Sequence, residues 1–392
     1  MVRRVRKPTD PQPRASSDQV RGYLDSASSE PLHPAARETL LACLEQGYGD
    51  PVRLHGPARN ARLLLDNARE VTAGPLGVRA DEVSFTGSGT QAVHLGVLGL
   101  LLGRTRVSRR LVHSAVEHSA VFAAASWWAA THAGTSDLVG VDSRGRVSPS
   151  TVATALSEPA GVLAVQSANL EVGTTQPVSE VAAVAAEHDV PLFVDAAASV
   201  GRLPLPTGWA AAAASAHKWG GPAGIGLLLV RKSARWRPPF PTDDRTDPRV
   251  AGFENVPGAL ASAAALQAVV ASQSDLAVRQ AALVDRLRAR VTAEVPSVDV
   301  VGDPVDRLPH VVTFSCLYVE GEALVRELDK RCFAVSSGSA CSASTLTPSH
   351  VLEAMGALTH GNVRVSLGRE TTQADVDAFL AVLPEVVTSL RR

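Results

Sequence analysis

The sequence predicts an α/β fold with a mostly parallel sheet, and three observations support this prediction. Short apolar stretches of strand length alternate with alanine-rich stretches of helical length from Tyr23 onward. A glycine turn joins one apolar stretch, 82–85, to the helical pattern TGSGTQAVHLGVLGLL at 86–101. Several apolar stretches also end in polar clusters, as expected where parallel strands end at a ligand site.

The elements are predicted in chain order from local composition and periodicity. Strands are expected where short apolar runs are bounded by glycine, proline or polar residues, and helices where apolar residues recur with helical spacing. The expected strands of the first part lie at 82–85, 110–113, 162–166, 191–194, 210–214 and 224–231. The expected elements of the second part are a helix at 260–294, a strand at 311–315, a helix at 322–330, a strand in NVRVSLGR and a last helix from Gln373.

The length of 392 residues favours two domains in one subunit. Residues 1–20 are basic and proline-rich, which predicts a disordered tail; a solvated extension is favoured over a nucleic-acid arm because no aromatic residues interleave the charges. Residues 21–258 are predicted to form the large domain and 259–392 a smaller C-terminal α+β domain. The N-terminal segment of the large domain is expected to pack with the small one.

Composition favours small-molecule chemistry. The formal net charge of -1 indicates neither nucleic-acid binding nor membrane attachment. The longest apolar run, 93–102, is far shorter than the roughly 20 residues that span a bilayer. The four cysteines form no CxxC pair, so we expect a reduced, cytoplasmic protein.

Two charged residues follow predicted strands and are candidates for chemistry. The chain has few lysines, and Lys218 lies at a strand end among small and apolar residues. Loss of hydration there lowers the pKa of an amine and makes it a nucleophile towards a carbonyl, although a surface lysine is the simpler alternative. Asp195 ends an apolar strand, where it could face a protonated pyridine nitrogen, as in pyridoxal phosphate enzymes, or cap a helix.

A phosphate site is predicted beside them. The turn GSGT at 87–90 opens a helix, whose free N–H groups favour an anion, and Ser215 and His217 could add side-chain donors. The turn lacks the spacing of a Walker loop. His118 could stack on a cofactor ring or cap a helix, and no metal site is expected because metal-ligand spacing is missing.

Two further candidates lie in the second half. Arg364 alternates with apolar residues, which predicts an inward guanidinium that binds a substrate carboxylate or an intrachain partner. Cys341 lies in SSGSACSAST at 336–345, where no large side chain would pack around it. An accessible thiol of this kind suits transfer chemistry.

Together these motifs resemble the cysteine desulfurases, in the aminotransferase class V branch of fold type I pyridoxal phosphate enzymes. The likeness runs from YLDSASS at 23–29 to the last helix. Its most specific pieces are SAHKWGGPAGIG, VDAAASVG, and VSSGSACSASTLTPSHVLEAMG followed by VRVSLGR. The resemblance implies a fold type I large domain with a mostly parallel sheet.

The resemblance also implies roles for the candidates. Pyridoxal 5'-phosphate would be held covalently by Lys218, and His118 would stack on its ring and take part in catalysis. Cys341 would be the nucleophile that accepts sulfur from L-cysteine and passes it to an acceptor protein. The remaining implied roles are phosphate binding by Gly89, Thr90, Ser215 and His217, pyridine-nitrogen pairing by Asp195, and substrate binding by Arg364 and Asn169.

Three positions depart from the family pattern, all of them assigned to the cofactor. Leu170 stands where the family has an asparagine, and Ala198 where it has a glutamine. Val256 stands where a threonine is expected to reach the phosphate across a homodimer. Two lost hydrogen bonds of roughly 1 kcal/mol each would loosen the cofactor without abolishing its covalent link.

These departures leave two other functions open. The chain could be a related carbon–sulfur lyase or selenocysteine lyase, because a changed cofactor pocket can accompany a changed substrate. It could also be a degenerate accessory subunit, although Lys218 and Cys341 are both retained. Family members are dimers, so a homodimer is expected.

Overall fold

The structure is a computed structural model that describes residues 22–243, 245, 247–337 and 348–391. The predicted tail at 1–20 and the cysteine at 341 lie outside the described residues.

The described chain begins with a short strand and two helices, followed by a seven-stranded sheet with helices between its strands. The first elements are β1 (Gly22–Tyr23), α1 (Pro34–Gln46) and α2 (Gly56–Leu76). The strands of the large sheet are β2 (Val83–Thr86), β3 (Arg110–Ser114), β4 (Thr135–Val139), β5 (Val162–Ala164), β6 (Leu192–Asp195), β7 (Ala211–Ser215) and β8 (Gly226–Val230). The helices between them are α3 (Gly89–Arg104), α4 (Ser119–His132), α5 (Pro149–Ala155) and α6 (Val178–Glu187).

The large sheet is mostly parallel, which confirms the predicted fold class. Its strand order is β2-β8-β7-β6-β5-β3-β4, and only β8 pairs antiparallel, with β2 on one side and β7 on the other. Six strands therefore run in one direction. Their carboxyl ends meet at one edge of the sheet, together with the amino end of β8.

Small residues bring α3 close to the centre of this sheet. Strand β7 reads AAAAS and is buried along its whole length. A Cβ at Gly96 of α3 would lie 2.3 Å from the ring of Phe193 on β6, so a side chain at this position would push the helix away. The close approach fixes where the first turn of α3 meets the carboxyl ends of the strands.

A second, three-stranded sheet has its own hydrophobic core. Its order is β12-β10-β9, with all pairs antiparallel, and a short strand β11 pairs in parallel with β1. The elements of this part are α7 (Val256–Ala271), α8 (Gln273–Glu294), β9 (Val298–Val301), β10 (Val311–Cys316), α9 (Gly321–Asp329), β11 (Phe333–Ala334), α10 (His350–Met355), β12 (Asn362–Ser366) and α11 (Gln373–Leu390).

The helix predicted at 260–294 is two helices. Between α7 and α8 the chain bends by 70°, and Ser272 lies between them. Leu266 of α7 packs in the core of the large sheet, whereas Leu287 of α8 packs in the core of the small one. The predicted domain boundary after residue 258 therefore falls inside α7, and the change of core occurs at the bend.

No single helix of the described ranges is long and apolar enough to cross a membrane. Together, α7 and α8 pass that test by length and composition only.

Candidate active site

A cavity of about 350 Å³ lies at the carboxyl ends of the parallel strands. The first turn of α3, the chain after β3, β5, β6 and β7, and the chain before β8 form its walls. The seven residues predicted to contact the cofactor all line it: Gly89, Thr90, His118, Asp195, Ser215, His217 and Lys218. The topology thus brings together side chains from four separate strand ends.

Lys218 closes a single 3₁₀ turn that follows β7. Its Nζ donates a hydrogen bond to the carbonyl of Ala27 at 2.6 Å, so the amine is held at the cavity wall. The side chain is half-buried. An amine in this position can reach a carbonyl group bound in the cavity.

Asp195 is the last residue of β6 and is 6% exposed. Its Oδ1 accepts a hydrogen bond from the N–H of Ala197 at 2.9 Å. Burial raises the pKa of Asp195, and the nearby His118 and Lys218 oppose that rise. A buried carboxylate of this kind is stabilised by a neighbouring cation, such as a protonated ring nitrogen.

His118 caps α4 and also lines the cavity, so the cap is confirmed, and the predicted stacking on a cofactor ring stays a prediction. Its Nδ1 accepts a hydrogen bond from the N–H of Ala120 at 3.1 Å. In the neutral ring the proton is therefore on Nε2.

The first turn of α3 and the end of β7 form an anion cradle. A Cβ at Gly89 would lie 2.6 Å from the Cβ of Ser215, so only glycine fits at this contact. The Oγ of Ser215 is 3.0 Å from Nδ1 of His217. Burial, with the charge of Lys218, lowers the pKa of His217 to about 4, so this ring is neutral at neutral pH. Free helical N–H groups beside hydroxyl and imidazole groups fit a phosphate.

Much of the remaining wall is apolar and suits a flat ring. Leu170, Ala198 and Ile225 line the cavity, together with the polar Gln166. The residues present therefore fit pyridoxal phosphate, since an amine, a buried carboxylate, an apolar slot and an anion cradle face one space. Two of the three departures from the family pattern, Leu170 and Ala198, lie in this wall.

Comparisons with known proteins agree with this geometry. The family model "Aminotransferase class-V" matches residues 22–379. An IscS-like cysteine desulfurase of Mycobacterium tuberculosis is 37% identical, over 94% of this chain and 97% of the relative. The cysteine desulfurase IscS of Dictyoglomus turgidum is 32% identical, over 94% and 95% of the two chains. A solved NifS-like protein superposes with a TM-score of 0.86 at 26% identity and covers 94% of this chain and 100% of its own.

The chain belongs to the cysteine desulfurase family of aminotransferase class V. This confirms the resemblance that the motifs indicated. Members of this family are pyridoxal phosphate enzymes, so enzymatic activity is supported.

Arg364, the residue that the desulfurase resemblance assigns to the substrate carboxylate, is 5% exposed and does not line the cavity of the described residues. Its Nη2 donates to Oδ1 of Asp25 at 2.8 Å and to Oγ of Ser28 at 2.6 Å. Ala27, which accepts from Lys218, lies between these two residues. The segment 25–28 therefore links the candidate substrate arginine to the candidate catalytic lysine, and the role of Arg364 stays a prediction.

Asn169 uses its side-chain amide on backbone groups, both in its own turn and in the chain after β3. Its Nδ2 donates to the carbonyl of Val116 at 3.1 Å, and its Oδ1 accepts from the N–H groups of Glu171 and Val172 at 2.9 Å each. It is not among the described residues that line the cavity. These contacts indicate a structural role, and the predicted substrate contact stays a prediction.

Val256 does not lie where the sequence interpretation placed it. It is fully buried in the first turn of α7 and packs with Cys43, Ala61 and Leu65 of its own chain. A side chain inside its own core cannot reach across to a second subunit. The interpretation of Val256 as a lost cross-subunit contact is therefore wrong at this residue.

The sequence interpretation missed Gln166. It lines the cavity, and its Nε2 donates to the carbonyl of Val116 at 2.5 Å. The predicted strand at 162–166 contains this residue, but β5 ends at Ala164 and leaves Gln166 in the polar segment beyond the strand end. Gln166 could have been found from the sequence, because it is a polar residue at the end of an apolar run.

Proposed function

We propose that the chain is a pyridoxal-phosphate-dependent cysteine desulfurase. It removes sulfur from L-cysteine, releases L-alanine and holds the sulfur as a persulfide on Cys341 for an acceptor protein. The observation that carries this proposal is the convergence of Lys218, Asp195 and His118 on one cavity with an anion cradle. The cysteine desulfurases that it resembles along most of its length supply the substrate class.

The cavity residues have complementary tasks in this reaction. Pyridoxal phosphate, when bound, supplies an electron-withdrawing ring that makes the Cα proton of an attached amino acid acidic. Gly89, Thr90, Ser215 and His217 would hold its phosphate. Lys218 would take and return the proton at Cα, and the carboxylate of Asp195 would stabilise positive charge on the ring nitrogen.

The sulfur step requires a thiolate from the protein. The Sγ of Cys341 forms a bond to the substrate sulfur while the substrate C–S bond breaks. The electron pair of that bond stays with the substrate carbon, which takes up a proton and leaves as alanine. The sulfur on Cys341 is released as sulfide when an external thiol supplies two electrons.

The substrate carboxylate would bind at Arg364. Asp25 already occupies one nitrogen of this guanidinium, whereas Nε is buried without a hydrogen-bond partner in the described part of the chain. A guanidinium binds carboxylates with two parallel hydrogen bonds. We therefore propose that the substrate shares or displaces the contact with Asp25.

One assay tests the proposed function. Purified protein loaded with pyridoxal phosphate is given L-cysteine and a thiol reductant, and alanine and sulfide are measured together. We expect equal amounts of both products, a loss of both in Cys341→Ser, and full activity in the matched control Cys332→Ser, which changes an exposed cysteine.

Other outcomes would point elsewhere. Pyruvate and ammonia would indicate a carbon–sulfur lyase, and alanine from selenocysteine alone would indicate a selenocysteine lyase. If no lysine-bound cofactor is seen in the visible spectrum of the wild-type protein, and Lys218→Ala changes nothing, the chain is an accessory subunit instead.

We also propose a homodimer and a cytoplasmic location, where thiol reductants are present. The predicted family dimer and the lack of paired cysteines in the sequence support these two proposals. Cell fractionation tests the location.

A further inference from the structure

Helix α10 is attached to the wall of the cofactor cavity by two consecutive residues. Ser349, its N-cap, and His350, its first residue, are both bonded to residues next to cavity-lining positions. These are among the first described residues after the segment that carries Cys341.

The first contact joins Ser349 to Glu171. The Oγ of Ser349 donates to Oε2 of Glu171 at 2.9 Å, and Ser349 is 6% exposed. Glu171 directly follows Leu170, which lines the cavity. Its second oxygen, Oε1, is buried and has no hydrogen-bond partner among the described residues. The carboxyl group is therefore held towards α10 rather than towards solvent.

The second contact joins His350 to Glu117. Nε2 of His350 lies 2.9 Å from the carbonyl of Glu117, which directly precedes His118 in the cavity wall. Glu117 is 1% exposed, and its Oε1 accepts from the N–H of Gln166 at 2.7 Å. The start of α10 is thus bonded to the chain beside two different cavity-lining residues.

The other end of the cysteine segment is also fixed near the candidate substrate arginine. The N–H of Ser336 donates to the carbonyl of Arg364 at 3.2 Å, and the N–H of Arg364 donates to the carbonyl of Ser336 at 2.7 Å. Cys341 is five residues from Ser336 and eight from Ser349. A fully extended chain of five residues spans at most about 18 Å, and one of eight residues at most about 29 Å.

We propose that Glu171 is a positioning residue for the sulfur-accepting step, because its contact with Ser349 fixes the chain that follows Cys341 to the wall of the cofactor cavity. This inference rests on the proposed function. Holding Ser349 at the cavity wall keeps a residue eight positions from the thiol near the site, which raises the effective concentration of that thiol. Breaking the contact lowers this concentration and changes no residue that lines the cavity.

The charge state of Glu171 supports this role. Burial raises the pKa of Glu171 to about 7, while the hydroxyl of Ser349 and the charge of Arg364 oppose the rise. A carboxyl group with this pKa accepts a hydrogen bond from Ser349 in either protonation state, and more strongly when ionised.

Two nearly isosteric substitutions test the contact. Ser349 also caps α10, since its Oγ accepts from the N–H of Leu352 at 3.3 Å, so Ser349→Ala would remove two functions at once. Ser349→Asn and Ser349→Asp both keep a capping oxygen. Asparagine can donate to Glu171 whether or not Glu171 is protonated. Aspartate repels Glu171 only when Glu171 is ionised, so the two variants are compared at a pH of about 9, above the pKa of Glu171.

The experiment uses the cofactor-loaded full chain. Alanine formation is measured in a single turnover, and the spectral change on adding L-cysteine reports binding at the cofactor. We expect Ser349→Asn to stay within about threefold of wild type and Ser349→Asp to be slowed about tenfold or more, with the spectral change and its half-saturating cysteine concentration unchanged. Ser349→Asp combined with Glu171→Gln should recover most of the rate, because the amide can donate to the aspartate.

A matched control and the opposing outcomes complete the test. Thr313→Val removes a 2.6 Å hydrogen bond to the carbonyl of Glu171 and leaves its carboxyl group alone, so its rate should stay within about twofold. Equal rates for the asparagine and aspartate variants, or an altered spectral response in Ser349→Asp, would overturn the inference. A wild-type protein that binds the cofactor but forms no alanine would instead overturn the proposed function, and this inference with it.

Discussion

Leu170 and Ala198 give the cavity an apolar wall where the resemblance leads us to expect two amide side chains. A cofactor oxygen facing this wall would be desolvated without a matching donor, which costs binding free energy. The covalent link through Lys218 does not depend on these contacts. We therefore expect a cofactor that is attached at Lys218 but held less tightly than in relatives with both amides.

Ala198→Gln should tighten cofactor binding. One restored hydrogen bond contributes about 1 kcal/mol, which corresponds to roughly a fivefold lower dissociation constant. Titration of the cofactor-free protein with pyridoxal phosphate, followed by visible absorbance, measures this change. Ala198→Leu is the control because it adds a similar volume without a donor. A gain that is equal in both variants would show that packing, and not the missing amide, limits binding.

Residues with chemistry at strand ends could be recognised from the sequence, but the buried groups behind them could not. Lys218 and Asp195 stand out because a charged residue ends an apolar run. Glu171 carries no such signal, since its contact is with a chain segment far away in sequence, whereas Gln166 closes an apolar run and was recognisable in the same way. The position of Val256 was misjudged for the same reason, because burial on α7 depends on packing against α1 and α2.

At the scale of elements, the contact between α3 and β7 determines the shape of the anion cradle. Gly89→Ala would force a Cβ against the side chain of Ser215 and move the first turn of α3. We expect the dissociation constant for pyridoxal phosphate to rise about tenfold, since phosphate contacts depend on the position of the helical N–H groups. Fluorescence titration of the cofactor-free protein measures it.

Two further variants distinguish this clash from a general loss of stability. The first combines Gly89→Ala with Ser215→Gly, which removes the side chain that the new Cβ would meet. This double variant should bind pyridoxal phosphate no more weakly than Ser215→Gly alone. Gly87→Ala is the control in the same turn, because its Cβ would meet only the flexible end of Gln91, at 3.2 Å. Weak binding in the double variant would contradict the steric explanation.

Helix and strand positions were predictable from periodicity, but the bend between α7 and α8 was not. Both helices carry helical patterns without proline or glycine at the junction, so the sequence at 260–294 predicts one continuous helix. The two helices separate because each packs on a different core. Tertiary packing of this kind leaves no local signal.

At the scale of the whole molecule, two hydrophobic cores meet around the candidate site. The segment 25–28 joins them, because Ala27 accepts from Lys218 of the large sheet and Asp25 pairs with Arg364 of the small one. A substrate that moves Asp25 when it binds at Arg364 would therefore also shift Ala27, the hydrogen-bond partner of Lys218. The resemblance implied both residues, whereas the link between them became visible only in the fold.

The outer surface of α1 carries exposed leucines among charged residues, although its inner face is already packed. Cys43 is buried against α2 and α7, whereas Leu41 and Leu44 are 42% and 54% exposed. Tyr48 and Leu54, just beyond the helix, are exposed as well. Exposed apolar residues grouped in this way are typical of an interface. In the proposed homodimer, a second copy of the chain would cover them.

Leu44→Asp should therefore weaken self-association. Placing a carboxylate in an apolar interface desolvates it without a partner, which costs several kcal/mol for a symmetric pair. Sedimentation velocity of the wild-type protein should give twice the chain mass of 40.9 kDa, and Leu44→Asp should shift it towards the single-chain mass at micromolar concentration. Val278→Asp on α8 is the matched control, because this valine is 73% exposed and lies outside the α1 surface. A wild-type protein that sediments as a single chain, or equal dissociation in both variants, would contradict an interface on α1.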